Sequence, residues 1–347
     1  MKERLAVAAL LEDWDRWQVI DGRSPGEFGT GHIPGAINIP LFTDDERARV
    51  GKLYKQVSPE KAFREGLRIA GQNMTAYVDT IRHVSDIQSK PLLIHCWRGG
   101  KRSQALQWLF SFSGIPCSRL EGGYKAFRSE LQLFFSDQTL DLRILGGCTG
   151  AGKTEILKAM GTKGAQIIDL EHLAHHKGSA FGSIGEAEQP STEQFENDLL
   201  VAFLSKDIRK PIWLENESKS IGRVHIPDSL WMQMRKATLF ALDVDQEARL
   251  QRALKYYSQP VDIETLKISF EKIRKRLGGL DYQEALKALE ANDLYTAAAI
   301  ALKYYDKSYT FQLSQWPSDR VIHLSECGGV EATADRLLAM ESLTVGS

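Results

Sequence analysis

A glycine-rich octapeptide at residues 147–154, GCTGAGKT, constrains the fold of this chain more than any other stretch. It fits the pattern G-x-x-x-x-G-K-[ST] at every position, follows the apolar run LRIL and precedes the helical pattern EILKAM. This order predicts a strand, a phosphate-binding loop of Walker A type (P-loop) and a helix, with backbone N–H groups turned toward phosphate oxygens. The predicted phosphate-binding residues are Gly147, Cys148, Thr149, Gly150, Ala151, Gly152, Lys153 and Thr154.

The chemistry of this loop leaves its ligand open. Lys153 supplies a cation and Thr154 a hydroxyl for Mg²⁺, and the cradle accepts a nucleoside triphosphate, a diphosphate ester or another polyphosphate. Asp169 and Glu215 each end an apolar run, so they either hold Mg²⁺, orient a substrate or cap helices. The chain has no N-K-x-D stretch, which disfavours a GTPase, and Cys148 is interpreted as a packed residue.

Strand and helix patterns alternate on both sides of a short polar stretch, FFSDQTLD at residues 134–141. The apolar runs WQVID, PLLIH and CSRL precede it, and AQIIDL, KPIWLE, KATLFALDV and DRVIHLS follow it. Such alternation predicts the α/β class, with parallel sheets covered by helices on both faces. A length of 347 residues favours two domains. We place them at residues 1–137 and 138–347, with additional helices in the second.

A second loop of chemical interest follows the buried run PLLIH. Cys96 ends this strand and precedes a helix that starts near Arg102, so its thiol is expected among loop N–H groups and cations. This setting favours a nucleophilic thiolate over a buried structural cysteine, whereas His95 is interpreted as a packed residue. With Cys96 as the catalytic residue, the predicted active-site loop contains Trp97, Arg98, Gly99, Gly100, Lys101, Arg102 and Ser103.

Cysteine usage and charge narrow the compartment and the partners. Cys96, Cys117, Cys148 and Cys327 are widely spaced and form no C-x-x-C pair, which indicates neither a disulfide framework nor a zinc site. We therefore expect a reducing cytoplasm, and no apolar run approaches the length of a membrane span. The formal net charge of −1 removes a global basic footprint for nucleic acid but allows a local one.

The first half resembles a known fold family. VIDGRSPGEFGTGHIPGAINIP, residues 19–40, is similar to the opening of a rhodanese domain, in which a later strand ends at a cysteine that accepts sulfur as a persulfide. Arg102 follows Cys96 by six residues, as in the His-Cys-x5-Arg loop of tyrosine phosphatases and of rhodanese-fold phosphatases, whereas many sulfurtransferases use five. The wider loop suits a tetrahedral phosphate. Cys96 is thus expected either to attack phosphorus or to accept a chalcogen atom from a donor that itself carries phosphate.

A rhodanese-like half joined to a glycine-loop half is similar to one family, the tRNA 2-selenouridine synthases. The similarity is carried in order by CWRGGKRS, LEGGYKAFR, GCTGAGKTE, DLEHLAHHKGSAFG, ENESKSIGRVHIP and YYDKSY. It implies a transferase that replaces sulfur of wobble 2-thiouridine in tRNA with selenium from selenophosphate, and a geranylated 2-thiouridine, made from geranyl diphosphate, as an intermediate or side product. We add the hypothesis that Cys96 takes selenium as a perselenide-like species, while residues 147–154 hold the prenyl diphosphate.

The same resemblance implies the cofactors and partners. Selenophosphate, delivered by its synthase, and geranyl diphosphate are the implied co-substrates. Mg²⁺ is an optional ion, and we expect neither a prosthetic group nor a dedicated metal site. The tRNA partner requires an unstacked wobble base, since a base inside the stack exposes neither its edges nor its ring face.

Contacts to the substrate or tRNA are expected from four stretches, one of which is SIGRVH at residues 220–225. KIRKRLGG at 272–279 is interpreted as a backbone contact or equally as a solvated helix face. The tyrosines of YYDKSY could stack on bases, although core packing is the commoner role, and AHHKGSAFG is favoured as a substrate loop because adjacent histidines cannot readily face one metal ion. The candidate contacts are His176, Lys177, Ser179, Arg223, His225, Arg274, Arg276 and Tyr304.

Two other classes of function remain as alternatives. One is a rhodanese-fold sulfurtransferase or Cys-x5-Arg phosphatase with a regulatory nucleotide-binding domain. The other is a non-catalytic RNA-binding module, which Cys96 and Lys153 disfavour because binding alone requires neither group.

Overall fold

The computed structural model describes residues 3–87, 90–257, 262–326 and 328–344, so Cys327 lies outside the described residues. The chain divides into two compact units. Unit 1 comprises Met1–Asp137 together with Glu196–Val201, and unit 2 comprises Gln138–Phe195 together with Ala202–Ser347. Each unit contains a parallel five-stranded sheet with helices, which confirms the predicted α/β class.

The sheet of unit 1 has the strand order β1-β5-β4-β2-β3, and every pairing is parallel. Its strands are β1 (Arg4–Leu5), β2 (Gln18–Asp21), β3 (Ile37–Asn38), β4 (Leu92–His95) and β5 (Cys117–Leu120). Its helices are α1 (Val7–Glu12), α2 (Pro25–Thr30), α3 (Asp44–Gln56), α4 (Pro59–Ile87), α5 (Lys101–Phe112) and α6 (Gly123–Asp137), with a 3₁₀ turn at Trp14–Arg16.

The central strands of unit 1 are covered on both faces. All positions of β2, β4 and β5 are buried, as the near-continuous apolar runs of a parallel sheet require. Ile20 and Ile94 from these strands pack with Leu106 and Phe110 of α5. This packing fixes the carboxyl end of β4, and with it the start of the loop that carries Cys96.

The sheet of unit 2 has the parallel order β12-β11-β6-β8-β7. Its strands are β6 (Leu142–Gly147), β7 (Gln166–Ile168), β8 (Ile212–Glu215), β11 (Thr238–Asp243) and β12 (Val321–Ser325), and β9 (Ser220–Ile221) pairs antiparallel with β10 (Val224–His225). The helices around this sheet are α7 (Lys153–Thr162), α8 (Leu170–Ala174), α10 (Asp228–Lys236) and α15 (Val330–Thr344), with a 3₁₀ turn at Ser318–Arg320. Helix α9 (Thr192–Leu204) contributes residues to both units.

The described residues between β11 and β12 form a group of helices that we call the helical insert. Its members are α11 (Gln246–Tyr257), α12 (Ile263–Leu277), α13 (Gly279–Glu290) and α14 (Leu294–Ser314). The insert has an apolar core of its own, to which Phe270, Ala285 and Leu289 belong, and Phe181 from the segment before α9 joins it. The additional helices predicted for the second half are therefore one packed substructure.

Within the described residues, no helix is both long enough and apolar enough to cross a bilayer.

Candidate functional site

The cysteine loop, residues 96–103, connects β4 to α5 and encloses the thiol of Cys96. This side chain is 3% exposed, and its Sγ lies 3.3 Å from Oγ of Ser103. The start of α6 holds the loop from the other side, since the backbone N–H of Tyr124 donates to the carbonyl of Cys96 at 3.0 Å. The thiol therefore lies at a helix N-terminus, inside a loop whose position depends on a second helix.

Glycines at two points allow this close approach. Gly99 and Gly123 both have left-handed φ angles, +64° and +61°. A Cβ atom on Gly123 would come within 3.0 Å of the carbonyl oxygen of Cys96 and of the backbone nitrogen of Gly99. Glycine at position 123 is thus required both by the backbone conformation and by the space that the cysteine loop occupies.

Arg102 is held at the rim of the cysteine loop by a carboxylate. Its Nη1 donates to Oε2 of Glu27 at 2.6 Å, and Glu27 also pairs with Arg47 at 3.0 Å. Burial acts to raise the pKa of Glu27, but the hydrogen bond and charge of Arg102 outweigh it and leave this pKa below its ordinary value. The guanidinium of Arg102 is therefore held in one orientation by its hydrogen bonds to Glu27.

The other cations of the loop are less constrained. Nζ of Lys101 lies 4.4 Å from the ring centre of Phe63, and Arg98 is exposed. Trp97 is 38% exposed and packs at 5.8 Å from the ring of Tyr124. Trp97 is thus a partly exposed aromatic side chain that directly follows Cys96 in the chain.

His95 is a packed residue, as the sequence indicates. Burial lowers its pKa to about 4, so its ring is neutral, and both ring nitrogens lack a hydrogen-bond partner. Beneath it, Arg23 and Asp21 form a buried pair at 2.7 Å, and the guanidinium of Arg23 lies 3.8 Å from the ring centre of Tyr124. This buried network supports β4 and α6, the two elements that hold Cys96.

The phosphate loop of unit 2 joins β6 to α7 in the predicted strand-loop-helix order. Gly150 and Gly152 have φ angles of +80°, and Nζ of Lys153 donates to the carbonyl of Gly147 at 3.2 Å. The thiol of Cys148 stays protonated because burial, followed by the charge of Asp306, raises its pKa to about 11. Cys148 is thus unsuited to act as a nucleophile, in agreement with the interpretation from sequence.

Arg249 of α11 anchors the phosphate loop from the helical insert. Its guanidinium donates to the carbonyl of Thr149 at 3.3 Å and forms two hydrogen bonds of 2.8 Å to Asp306 of α14. A Cβ on Gly150 would lie 2.6 Å from the carbonyl oxygen of Arg249. The loop is therefore clamped to α11 and α14, which also explains the aspartate of YYDKSY.

A large cavity of about 1230 Å³ lies over the phosphate loop, entirely within unit 2. Six of the eight predicted contact residues line it, namely His176, Lys177, Ser179, Arg223, Arg276 and Tyr304. The other two do not: His225 pairs through Nδ1 with Oγ of Ser220 at 2.9 Å, and Arg274 pairs with Glu271 at 3.3 Å. On α12, Arg276 thus faces the cavity, whereas Arg274 points along the helix surface.

Two glutamates that line the cavity, Glu171 and Glu217, were not singled out from the sequence. Oγ1 of Thr154 donates to Oε2 of Glu171 at 3.1 Å. Burial, followed by the charge of Glu171, raises the pKa of Glu217 to about 8, and burial also raises the pKa of Glu171. Desolvation therefore favours the protonated form of both carboxyl groups. The stretch ENES, residues 215–218, contained a signal for Glu217. Residues two apart on an extended chain share a face, so Glu217 could be expected on the same face as Glu215.

The two carboxylates proposed from the sequence have structural partners. Oδ1 of Asp169 accepts from the N–H of His172 at 2.8 Å and so caps α8. Oε2 of Glu215 accepts from the N–H of Leu170 at 3.0 Å, and burial raises the pKa of Glu215 well above its ordinary value. Glu171, rather than Asp169, is the carboxylate next to Thr154.

The oxygen atoms beside the phosphate loop fit Mg²⁺ by their chemistry. Mg²⁺ prefers one or two protein oxygens together with water and substrate phosphates. Thr154 and Glu171 supply such oxygens, and Oε1 of Glu215 is buried without a partner. Within the described ranges, no group of three or more His, Cys, Asp or Glu side chains is placed to hold a metal by itself. An ion here would thus depend on the phosphates of the ligand.

Three buried polar atoms among the cavity-lining residues lack a hydrogen-bond partner: Nδ1 of His176, Nδ2 of Asn216 and Oη of Tyr309. A Cβ on Gly146 would lie 3.0 Å from Oη of Tyr309 and 3.5 Å from Nδ2 of Asn216, so both donors converge at the end of β6. Burial raises the pKa of Tyr309, which keeps its hydroxyl proton available for donation. These three groups thus lack the hydrogen-bond partners that most buried polar groups have.

The two units define a class of protein, a rhodanese-like domain joined to a P-loop domain that carries a helical insert. The rhodanese-like domain family matches residues 5–130. The family described as the tRNA 2-selenouridine synthase AAA domain matches residues 140–336, which is more than half of the chain.

Similarity to individual proteins extends over both units. The tRNA 2-selenouridine synthase of Hahella chejuensis is 38% identical, with 86% of each chain covered, and that of Shewanella denitrificans is 35% identical over 92% of this chain and 94% of its own. A solved rhodanese-related protein from Thermoplasma volcanium is 21% identical, covering 37% of this chain and 93% of its own, with a TM-score of 0.23. This chain belongs to the tRNA 2-selenouridine synthase family.

Proposed function

We propose that this chain replaces the 2-sulfur of wobble 2-thiouridine in tRNA with selenium from selenophosphate, through an S-geranyl intermediate. Its family membership supports the overall reaction. The observation that carries the division of labour is the contrast between two loops. One encloses the thiol of Cys96 with Arg102 fixed at its rim, and the other is a phosphate loop whose own Cys148 stays protonated. A cytoplasmic location follows from the tRNA substrate and the need for a free thiol.

The phosphate loop is assigned to alkylation. The 2-sulfur attacks C1 of geranyl diphosphate, the C1–O bond breaks, and inorganic diphosphate leaves with the electron pair. Loop N–H groups and Lys153 stabilise the negative charge that develops on the leaving group. Mg²⁺, held by Thr154 and Glu171, would neutralise further charge on the diphosphate. Asn216 and Tyr309 supply two more donors beside the loop.

The cysteine loop is assigned to the selenium donor. Attack of the Cys96 thiolate on phosphorus breaks the P–Se bond and releases hydrogen selenide, and water then hydrolyses the phosphorylated cysteine. This sequence needs no oxidant, whereas a perselenide on Cys96 would require a two-electron oxidant or the release of phosphite. The six-residue spacing to Arg102 and the contact of Ser103 with Sγ support the phosphoryl route.

Selenium then replaces the alkylated sulfur. Alkylation converts a poor leaving group into a good one, because departing geranylthiolate carries its charge on an ordinary thiol sulfur. Selenide adds to C2 of the base, and the C2–S bond breaks to release geranylthiol. The wobble base must leave the stack for both steps. Cavity residues such as Arg223, Arg276 and Tyr304 are the proposed contacts to the nucleotide in unit 2.

Nucleoside mass spectrometry tests this division. The full chain is incubated with 2-thiouridine tRNA, geranyl diphosphate and selenophosphate. Cys96→Ala should accumulate S-geranyl-2-thiouridine without 2-selenouridine, whereas Lys153→Ala should form neither product but should selenate tRNA that was geranylated beforehand. Cys117→Ala, which removes a buried thiol from the same unit, is the matched control and should retain both steps. The division would be contradicted if Cys96→Ala failed to geranylate 2-thiouridine tRNA, or if Lys153→Ala failed to selenate tRNA that was geranylated beforehand.

A further inference from the structure

A small apolar pocket opens beside the phosphate loop within unit 2. Its volume is about 60 Å³. Most of its wall comes from the helical insert, and all but three of its lining residues are apolar. The apolar wall includes Phe181, Leu266, Phe270, Leu289, Ala297 and Ala301. We call this space the tail pocket.

The tail pocket adjoins the large cavity over the phosphate loop. Thr149, Ser179, Ala253 and Tyr305 line both spaces, and we call this shared boundary the mouth. Thr149 is itself part of the phosphate loop. A ligand whose phosphates occupy that loop would therefore have apolar surroundings next to it.

Three oxygen atoms at this mouth already accept hydrogen bonds. Oη of Tyr305 accepts from the N–H of Ala180 at 2.7 Å, and Oγ of Ser179 accepts from the N–H of Phe181 at 3.2 Å. The carbonyl of Thr149 accepts from Arg249. A nucleobase in this pocket would lose its hydrogen bonds to water and gain few in return, which is unfavourable. A hydrocarbon has no such cost.

We infer that the tail pocket binds the terminal isoprene unit of a prenyl diphosphate and limits the length of chain that the enzyme accepts. This inference rests on the proposed role of the phosphate loop in alkylation. The pocket of about 60 Å³ is larger than a site for a single water, which leaves room for a bulkier apolar group such as a five-carbon isoprene unit. The proximal isoprene unit of a ten-carbon chain then spans the mouth.

Small residues on α14 leave the space for this unit. Ala297 and Ala301 are one helical turn apart on the same face and are 3% and 8% exposed. A leucine at either position would project three more carbons into this small pocket. Ala301→Leu should therefore displace the terminal isoprene unit while leaving the phosphate loop intact.

The inference is tested by measuring the affinity of the full chain for diphosphates, with titration calorimetry in the presence of Mg²⁺. The wild type should bind geranyl diphosphate about 100-fold more tightly than inorganic diphosphate, because burial of an isoprene unit contributes several methylene equivalents. Ala301→Leu should remove most of this difference and should leave the affinity for inorganic diphosphate unchanged. Five-carbon dimethylallyl diphosphate should bind both proteins nearly equally.

A matched control separates the pocket from helix stability. Ala299→Leu makes the same change on the same helix at a position outside the pocket lining, and it should retain wild-type affinity for geranyl diphosphate. Thermal unfolding of both variants verifies that α14 is folded.

Different failures have different meanings. If the wild type binds geranyl and inorganic diphosphate equally, or if Ala301→Leu keeps the full preference, the tail pocket is only a packing gap and the inference is wrong. If neither compound binds, or if ATP binds more tightly than geranyl diphosphate, the proposed role of the phosphate loop fails and the tail pocket fails with it.

Discussion

Replacing Gly123 with alanine should displace the cysteine loop and slow selenation, although Gly123 lies in α6 and not in the loop itself. Gly123 is the first residue of α6 and has a φ of +61°, where an L-residue costs about 1–2 kcal/mol. The added Cβ would also come within 3.0 Å of the carbonyl of Cys96, whereas carbon contacts are favourable at about 3.5–4.0 Å. Relief of this collision requires a shift of about 1 Å, and a misplacement of that size can reduce a rate by about 100-fold.

The assay measures each step separately. Selenation is followed on tRNA geranylated beforehand, and geranylation is followed without selenophosphate. Gly123→Ala should slow selenation by about 100-fold and leave geranylation unchanged. Gly114→Ala is the matched control, since Gly114 has a φ of +80° but a Cβ there would meet nothing within 4 Å. Gly114→Ala should lose a similar amount of stability, about 1–2 kcal/mol, because alanine is strained at a left-handed φ angle. Its selenation activity should remain intact.

Two results would refute this reasoning. Wild-type selenation by Gly123→Ala would mean that contact with α6 does not set the position of Cys96. An equal loss of selenation in Gly114→Ala would mean that the effect comes from lower stability of unit 1 rather than from displacement of the loop.

Three further perturbations concern unit 2. The pKa of Glu217 is raised from 4.5 to about 8 in the folded state, so protonation of Glu217 stabilises the fold. This contribution to the free energy of unfolding is fully present below pH 4.5 and is lost as the pH rises through 8. Glu217→Gln should therefore raise the melting temperature above pH 8 but not below pH 4.5 in scanning calorimetry; equal effects at both would contradict this. Arg249→Met leaves Asp306 without its partner and should lower the free energy of unfolding by about 3 kcal/mol in urea denaturation, with a smaller loss for Arg249→Lys. Tyr309→Phe removes an unpartnered buried hydroxyl, so the free protein should lose no stability while its affinity for inorganic diphosphate falls about 10-fold in calorimetry; unchanged affinity would exclude this donor from the site.

The sequence predicted those parts of the candidate sites that lie in continuous segments. Cys96 with its loop and residues 147–154 both follow apolar strands, and a strand followed by a glycine loop and a helix has few other solutions. Contacts between distant segments were not predictable. Glu171 beside Thr154 and the convergence of Asn216 with Tyr309 depend on which segments the fold brings together.

Helix geometry also decided which predicted contacts face the cavity. A charged run such as KIRKRL does not state which of its members points inward, because that depends on how α12 packs on α13 and α14. Arg276 lines the cavity and Arg274 does not, although they are two residues apart. Two residues on a helix are separated by about 200° of rotation, so they face different surroundings.

The sequence by itself determined the α/β class, the two loops and the family, since these depend on local periodicity, on glycine spacing and on motifs in a fixed order. Only the tertiary structure decided that α6 holds the cysteine loop, that burial raises the pKa of Glu217 beside the phosphate loop, and that an apolar pocket lies next to this loop in the helical insert. The physical reason is that burial, desolvation and empty volume arise from packing between segments far apart in the chain. A residue's own type and its near neighbours do not specify them.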